Sequence, residues 1–225
     1  MKIKSLSLIM AFLVMIFECY NCEIWLDSNK IGDIDGYTYE NWKDYGQTYM
    51  SLLGGGRFSC GWSNINNAVF RIGKRWDTTR VWYQYGNFNV KFNVDFQPWG
   101  NSYLSVYGWT RDPLIEYYIV ESWGDWRPPG VNPVGNFWLD GEIYDIYIDD
   151  KFNAPSIDGD RNFRQFWSVR RSKRTYGTVS VFKHFEEWAR RGMYLGKMYE
   201  VSLAVEGYKS SGKAYVYENT ITVGY

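Results

Sequence analysis

Hydrophobic and polar residues alternate along most of this chain, in short runs. A strand sends successive side chains to opposite faces, so a period of two indicates a strand with two different faces. Gly, Asn, Asp and Pro separate the runs, as turn residues do between strands. The runs with this pattern are 48–62, 81–96, 101–109, 113–122, 141–152, 164–172, 197–208 and 213–225. They predict an all-β fold, a sandwich of two sheets.

A single segment, KHFEEWARRG at 183–192, has helical spacing instead. Phe185, Trp188 and Ala189 recur at helical intervals, the arginines occupy the last turn, and Gly192 can close it. We expect this helix to pack on the outside of a sheet, with His184 a packed residue whose ring nitrogen is hydrogen-bonded. The 225 residues suit one large all-β domain, without an internal repeat or a linker rich in Pro, Gly or Ser.

Residues 1–22 differ from the rest of the chain. Lys2 and Lys4 precede an apolar run at 5–17 that is too short to span a bilayer. A basic start followed by such a run is typical of a secretory signal peptide, so we expect an extracellular protein whose folded domain spans 23–225. Cleavage after Cys19 and cleavage after Cys22 both fit the junction FECYNCEIW.

Composition restricts the choice of partner. The chain has 20 Tyr, 12 Trp and 13 Phe, a combination that favours β structure with an exposed aromatic surface. The 25 Lys and Arg balance the 25 Asp and Glu, so charge points neither to nucleic acid nor to an anionic membrane. We therefore expect an uncharged ligand.

Cysteine and histidine suggest no metal or organic cofactor. Cys19-x-x-Cys22 has the spacing of a redox or metal pair, but it lies at the signal junction and lacks a second ligand pair. His184 is the only histidine of the chain. If cleavage leaves Cys22, it could pair with Cys60; otherwise we expect Cys60 to be a small buried residue.

Several runs place tyrosine, tryptophan and short polar side chains on one face. By alternation, these sets are Tyr103, Ser105, Tyr107 and Trp109; Asp145, Tyr147, Asp149 and Lys151; and Gln165, Trp167 and Val169. Such a face is too aromatic for ordinary solvated surface and too polar for a core. Because aromatic rings cover the C–H patches of sugars while polar groups bind their hydroxyls, the sequence predicts a polysaccharide ligand.

Two glutamates fall on faces of this kind. In PLIEYYIVESWG, Glu116 shares a face with Tyr118, opposite Ile115. In KMYEVSLAVEGY, Glu206 shares the small, polar face of Ala204. Hydrolysis of a glycosidic bond needs two carboxyl groups, one to protonate the leaving oxygen and one to attack or assist at the sugar carbon. A close pair resists double ionisation, so one partner stays protonated near neutral pH.

Four motifs at these positions resemble the signatures of the family 11 endo-β-1,4-xylanases. They are YGWTRDPLIEYY, PLIEYYIVESWG, NAPSIDGDR and VEGYKSSG, and the resemblance runs from about Tyr37 to Val223. The family fold is a β-jelly roll of two curved antiparallel sheets with a single helix. The resemblance implies a secreted, monomeric endo-1,4-β-xylanase acting on xylan or xylo-oligosaccharides, with 23–225 as its catalytic domain.

The resemblance also implies residue roles. Glu116 matches the family's nucleophile and Glu206 its general acid/base, and Tyr107 and Tyr118 match tyrosines that flank the nucleophile. The implied reaction is a double displacement with retention of the anomeric configuration. In it, Glu116 forms a covalent glycosyl-enzyme, and Glu206 first donates a proton and later accepts one.

Other matches concern substrate binding. Trp42 in YENWKD resembles the tryptophan that stacks on a xylose ring, and Gln165 and Trp167 match residues of the cleft floor. NAPSIDGD, residues 153–160, matches the family's thumb hairpin, in which Pro155 presses on the substrate from above. We call residues 153–160 the thumb.

Three further positions qualify the resemblance. Asn67 matches the position beside the acid/base, where asparagine implies an activity optimum nearer neutral pH than aspartate does. Lys151 stands where many relatives have an arginine, which forms a planar fork that lysine lacks. Glu200 stands where some relatives place a cleft tyrosine.

Two other classes of protein stay open. A non-catalytic carbohydrate-binding β-sandwich would explain the aromatic face without needing two opposed glutamates. A jelly-roll β-glucanase would carry the same carboxylate pair. Binding without cleavage would identify the first, and products from glucan rather than xylan would identify the second.

Overall fold

The computed structural model describes residues 23–224. Within this range the chain forms strands joined by short connections, one α-helix, α1 (Val181–Ala189), and a 3₁₀ turn at Trp82–Gln84. In chain order the strands are β1 (Ile24–Leu26), β2 (Lys30–Ile34), β3 (Tyr37–Lys43), β4 (Gln47–Leu52), β5 (Phe58–Ser63), β6 (Asn67–Arg75), β7 (Asn87–Trp99), β8 (Ser102–Arg111), β9 (Ile115–Trp123), β10 (Gly135–Leu139), β11 (Glu142–Ala154), β12 (Arg161–Arg170), β13 (Tyr176–Val179), β14 (Lys197–Met198), β15 (Glu200–Tyr208) and β16 (Ser211–Gly224).

The strands form two sheets packed face to face. A six-stranded sheet has the order β1-β4-β5-β16-β7-β13, and a ten-stranded sheet has the order β10-β11-β12-β9-β8-β15-β6-β3-β2, with β14 paired to β8. The main core lies between them: Phe58 and Phe88 come from the first sheet, and Phe70, Tyr117 and Leu203 from the second. The predicted β-jelly-roll sandwich with one helix is thereby confirmed.

The faces of the two sheets that point away from the main core differ in burial. Along β7 buried and exposed residues alternate, because its outer face meets solvent. In β8, β9 and β15 nearly every residue is buried. The face of these strands and of β12 that points away from the main core carries a separate apolar cluster, which includes Tyr107, Trp109, Tyr118 and Trp167. We call this aromatic surface of the ten-stranded sheet the cleft face.

One pairing departs from the predicted antiparallel arrangement. β9 and β12 run parallel, with Glu116 opposite Gln165. The other pairings between strands of residues 23–224 are antiparallel. The chain leaves β9 through the connection at 124–134, and two antiparallel turns, β10 to β11 to β12, bring it back in the direction of β9. The side chain of Gln165 thereby comes to lie beside Glu116.

Helix α1 packs against residues of both sheets. Phe185 meets Phe88 of β7 and Tyr117 of β9, with ring centroids 6.3 and 5.1 Å apart. The predicted helix at 183–192 overlaps α1 but is displaced by two to three residues. The arginines therefore lie just beyond the last turn rather than in it, and Gly192, with a φ of 75°, lies where the chain turns away.

His184 on this helix is buried, as expected, but its predicted hydrogen bond is wrong. The ring packs edge-on against Phe137 and Tyr144, with centroids 5.1 and 4.6 Å away. Neither ring nitrogen has a hydrogen-bond partner within residues 23–224. Burial, with a smaller effect from the charge of Arg174, lowers the pKa of His184 to about 3. The ring is therefore neutral across the physiological pH range.

The predicted signal segment, 1–22, with Cys19 and Cys22, lies outside the described residues. Cys60 is fully buried in the main core, and burial raises the pKa of its thiol. Between residues 23 and 224 the structure contains no helix long and apolar enough to cross a lipid bilayer.

Candidate active site

The cleft face borders an open cleft of about 930 Å³. Strands β3, β6, β8, β9, β11, β12 and β15 contribute to its lining, because alternate residues of each strand point to the same side of the sheet. The structure brings together in this cleft every site residue predicted from the sequence: Trp42, Asn67, Tyr107, Glu116, Tyr118, Pro155, Gln165, Trp167 and Glu206.

Glu116 lies at the start of β9 and is almost fully buried. Its Oε1 accepts hydrogen bonds from Tyr107 Oη at 2.6 Å and from Tyr118 Oη at 3.1 Å. Its Oε2 accepts a hydrogen bond from Gln165 Nε2 at 2.5 Å. Donors on three adjacent strands thus fix the orientation of this carboxylate.

Tyr107 is held in turn by its neighbours on the cleft face. Trp109 Nε1 donates a hydrogen bond to Tyr107 Oη at 2.5 Å. Because this bond occupies an acceptor site on the phenol oxygen, the phenol proton is directed toward Glu116. The guanidinium of Arg71 lies 4.9 Å from the centroid of the Tyr107 ring.

Glu206 approaches Glu116 from β15, two strands away from β9. Along β15 it pairs with Tyr103 of β8 on one side and with Val69 of β6 on the other. The hydroxyl of Tyr118 lies between the two carboxyl groups, 3.1 Å from Glu116 Oε1 and 3.2 Å from Glu206 Oε2. These two carboxyl oxygens can therefore be no farther apart than the sum of those distances.

The surroundings separate the pKa values of the two glutamates. Burial, followed by the negative charge of Glu116, raises the pKa of Glu206 to about 8. Hydrogen bonds from Tyr118 and Asn67 partly offset this rise. Burial also raises the pKa of Glu116, and hydrogen bonds from Tyr107, Gln165 and Tyr118 offset part of this rise. Glu116, which accepts more hydrogen bonds, is therefore the member of the pair that ionises first, and Glu206 keeps its proton at neutral pH.

Aromatic rings form the floor of the cleft. Tyr118 and Trp167 stack with centroids 3.9 Å apart and planes 5° from parallel. Trp42 contributes to the lining from β3, and Pro155 and Ile157 contribute from the thumb. An extended neutral ligand would meet apolar surface from both the floor and the thumb.

Sequence reasoning missed several residues of the lining, among them Arg71, Trp126 and Tyr199. Arg71 has the same parity as Asn67 on β6, so alternation alone could have placed it on the cleft face. Trp126 lies in the connection after β9, where no periodic signal exists. Tyr199 lies between β14 and β15, where the strand pairing is interrupted.

Lys151 and Glu200, which differ from the residues of some relatives, lie in different surroundings. Lys151 does line the cleft, and its ammonium pairs with Asp149 at 2.6 Å. Glu200 does not line the cleft; its buried carboxylate lies 3.1 Å from Arg71 and 3.3 Å from Arg75. Tyr199, one position earlier, occupies the lining instead. Among residues 23–224 no group of three or more His, Cys, Asp or Glu is arranged to hold a metal ion.

A jelly roll whose aromatic cleft holds two carboxyl groups of unequal pKa belongs to the class of glycoside hydrolases. The sequence model of glycosyl hydrolases family 11 matches residues 34–217, and the chain belongs to this family.

Two curated relatives and one solved structure illustrate the similarity. Endo-1,4-beta-xylanase A of Bacillus pumilus is 54% identical over 199 residues, which are 88% of this chain and 87% of that protein. Endo-1,4-beta-xylanase A of Thermoclostridium stercorarium is 57% identical over 196 residues, 87% of this chain but 30% of that protein. The structure of the family 11 xylanase from Neocallimastix patriciarum matches with a TM-score of 0.83 and 33% identity, covering 89% of this chain and 100% of that one. The chain thus spans about a third of the length of some of its curated relatives.

Proposed function

We propose that this protein is an endo-1,4-β-xylanase that hydrolyses internal bonds of xylan with retention of configuration. The observation that carries the proposal is the Tyr118 hydroxyl, which lies within hydrogen-bonding distance of Glu116 and of Glu206. The oxygens it joins are closer than the roughly 6.5 to 9.5 Å between the carboxyl groups of inverting glycosidases, and the arrangement suits the roughly 5 to 5.5 Å of retaining ones. The xylanases among its relatives support the choice of substrate.

In the first step, the Glu116 carboxylate attacks the anomeric carbon of the sugar. The bond from that carbon to the leaving oxygen breaks, and the proton of Glu206 moves to this oxygen. The product is a glycosyl ester on Glu116. Tyr107 and Gln165 keep the attacking carboxylate oriented, because each donates a hydrogen bond to it.

In the second step, water attacks the same carbon, Glu206 accepts the proton of this water, and the ester bond to Glu116 breaks. Esterification removes the charge of Glu116, which is one of the two causes that raise the pKa of Glu206. The pKa of Glu206 therefore falls at the stage at which this group must act as a base.

We also propose that the protein is exported and acts as a monomer on polysaccharide outside the cell. The basic and then apolar composition of residues 1–22 supports export. Expression of the full chain in a secreting host, with sequencing of the mature amino terminus from the medium, tests this proposal. Sedimentation tests the oligomeric state. Recovery of uncleaved chain inside the cells would contradict export.

Product analysis by proton NMR during hydrolysis of purified xylo-oligosaccharides tests the reaction itself. We expect the β-anomer to appear first and to mutarotate afterwards. Reducing ends should rise on xylan and stay flat on cellulose and mixed-linkage glucan. Initial formation of the α-anomer would overturn retention, and release of products from glucan alone would favour the glucanase alternative.

Glu206→Ala tests the role of the proton donor. We expect activity on xylan to fall by about 10²-fold or more, with a much smaller loss on an aryl xyloside whose leaving group needs no proton. The comparison uses kcat/KM on both substrates, with Glu200→Gln as a control for a buried carboxylate outside the cleft lining. Equal losses of Glu206→Ala on both substrates would contradict the assignment.

A further inference from the structure

The thumb is tied to the rim of the cleft by a forked ion pair. Arg111 Nε lies 3.1 Å from Asp158 Oδ1 and 3.0 Å from Oδ2, and Arg111 Nη2 lies 2.6 Å from Oδ1. Within residues 23–224 this is the only ion pair formed by a thumb residue. A fork of this kind fixes the direction of the contact as well as its length.

Arg111 stands on a different part of the sheet from the strands that carry the thumb. It is the last residue of β8, whereas the thumb connects β11 to β12. Strand β9, which carries Glu116, lies between β8 and β12. The contact between Arg111 and Asp158 therefore makes the tip of the thumb span the strand of Glu116, on the side where Ile157 lines the cleft.

The side chain of Arg111 is itself positioned by the cleft lining. Its guanidinium carbon lies 4.4 Å from the ring centroid of Tyr199, which lines the cleft. The hydrogen bonds that Arg111 donates hold the pKa of Asp158 below its usual range. Asp158 is therefore ionised over the whole pH range in which the protein would work.

The turn of the thumb transmits the position of Asp158 to the residues over the cleft. Ser156 Oγ accepts a hydrogen bond from the Asp158 amide at 3.0 Å and donates one to the Gly159 carbonyl at 2.5 Å. The Ser156 amide also donates to the Gly159 carbonyl at 3.0 Å. These bonds hold Ser156, Asp158 and Gly159 in one turn, so the position of Asp158 constrains Pro155 and Ile157, which are bonded to Ser156 along the chain.

We propose that Arg111 is a positioning residue that, through its ion pair with Asp158, holds the thumb over the cleft and strengthens binding of the polysaccharide chain. The inference rests on the proposed function, since its readout is the binding of a xylan-like substrate. The pair is about one-third exposed, with side-chain exposures of 31% and 35%, so it is open to screening by salt.

Kinetics of Arg111→Gln, Asp158→Asn and the double variant on a soluble xylo-oligosaccharide test this role. We expect KM to rise about two- to five-fold in each single variant, the range for a partly exposed ion pair, with kcat within about a factor of two. The double variant should be no worse than either single one, because each change breaks the same contact.

The dependence of KM on ionic strength is a second readout. KM would not depend on ionic strength in this way if Arg111 had only a structural role. Since the substrate is uncharged, salt acts on the protein alone. Raising NaCl from about 20 mM to about 0.5 M should bring the KM of the parent toward that of Arg111→Gln, whose own KM should stay constant. A charge-reversed pair, Arg111→Asp with Asp158→Arg, should recover part of the loss.

The same hairpin offers a matched control. Arg164 on β12 pairs with Asp150 on β11 at 2.9 Å, with exposures of 60% and 51%, and neither residue lines the cleft. Arg164→Gln removes the same kind of charge from the hairpin that carries the thumb, and we expect its KM to equal that of the parent. Thermal unfolding of each variant checks that the fold is intact.

These measurements distinguish a failure of the proposed function from a failure of the role proposed for Arg111. A parent without activity on xylo-oligosaccharides would overturn both the proposed function and this inference. An active parent whose Arg111→Gln variant has the same KM as Arg164→Gln would overturn the inference alone. A fall in kcat with unchanged KM would also overturn it, because Arg111 would then act on the chemical step.

Discussion

The hydroxyl of Tyr118 links the two carboxyl groups of the site. It lies 3.1 Å from Glu116 and 3.2 Å from Glu206, and its hydrogen bonding lowers the pKa of each. A hydrogen-bond donor stabilises a carboxylate relative to the carboxylic acid. Because the hydroxyl has a single proton, it donates to one carboxyl group at a time, and in either case it favours the ionised form of the group that accepts.

Tyr118→Phe should raise the pKa of both carboxyl groups. Activity needs ionised Glu116, so it is lost as pH falls through that pKa; it also needs protonated Glu206, so it is lost as pH rises through about 8. Both limbs of the profile of kcat/KM against pH should move to higher pH, by about one unit.

Tyr147→Phe is the control for this change, because the Tyr147 hydroxyl accepts a hydrogen bond from Arg127 at 2.8 Å and does not contact either glutamate. Its pH profile should match that of the parent. Limbs of Tyr118→Phe that move apart, or an alkaline limb that moves toward acid, would contradict the assignment.

At the scale of elements, helix α1 shows how one buried face holds a helix on the sandwich. Val181, His184, Phe185 and Trp188 are its buried residues, at the spacing of one helical face. Trp188 Nε1 donates a hydrogen bond to Ser168 Oγ at 3.0 Å, so its polar atom is paired. The ring nitrogens of His184 have no such partner within residues 23–224, which makes His184 the costly member of the face.

His184→Leu should make the protein more resistant to acid. The pKa of His184 is about 3 in the folded protein, below the roughly 6.5 of an unperturbed histidine, so the unfolded chain binds the proton first. Proton binding by this residue does not change the free energy of unfolding above pH 6.5. It lowers that free energy by about 1.4 kcal/mol per pH unit as pH falls from there toward 3.

Urea unfolding at pH 7 and at pH 4.5 measures this difference. Relative to its value at pH 7, the free energy of unfolding of the variant at pH 4.5 should exceed that of the parent by roughly 2 to 3 kcal/mol. Because His184 is the only histidine, the remaining titrating groups are the same in both proteins. Parallel pH dependences would show that the ring is protonated in the folded state.

At the scale of the molecule, the two sheets enclose a core that solvent reaches only when they separate. Cys60 on β5 is fully buried in this core, and burial raises the pKa of its thiol. Reaction with a thiol reagent needs both access and the thiolate. The rate of labelling of Cys60 therefore reports on opening of the whole sandwich.

We expect labelling of Cys60, in a chain whose Cys19 and Cys22 are replaced by serine, to be at least about 10³-fold slower than that of an exposed thiol and to accelerate with urea. The control is Lys213→Cys in a Cys60→Ala background, because position 213 lies on the exposed side of the neighbouring strand β16. Rapid labelling of Cys60 without urea would show that the sheets open locally.

Alternation identified the fold and most of the site because it is a local signal. The positions of Glu116, Tyr118, Gln165 and Trp167 followed from parity along single strands, and the family motifs then assigned their roles. Contacts between segments that are distant in the sequence cannot be predicted from alternation along single strands. The parallel pairing of β9 with β12 and the contact of the thumb with Arg111 depend on how distant segments meet.

The presence of Tyr199 in the cleft lining, where Glu200 is matched to the cleft tyrosine of some relatives, has a local physical cause. Met198 of β14 pairs with Thr110, whereas Ser202 of β15 pairs with Tyr107, so the register against β8 shifts by one residue between the two strands. Such a shift inverts the parity of side chains on either side of it. Tyr199 therefore reaches the cleft although its parity is opposite to that of Glu206, and alternation counted along β15 does not place it there.

The position of the last two strands determines when the molecule can become complete during synthesis. β15 joins β6 to β8 in one sheet, and β16 joins β5 to β7 in the other. A nascent chain that has reached only residue 199 carries Glu116, but neither sheet is continuous, and the edges of β5, β6, β7 and β8 lack the partners that they have in the folded protein. Both sheets stay incomplete until the segment 200–224 has been synthesised, and during this delay the unpaired edges can pair with strands of other chains.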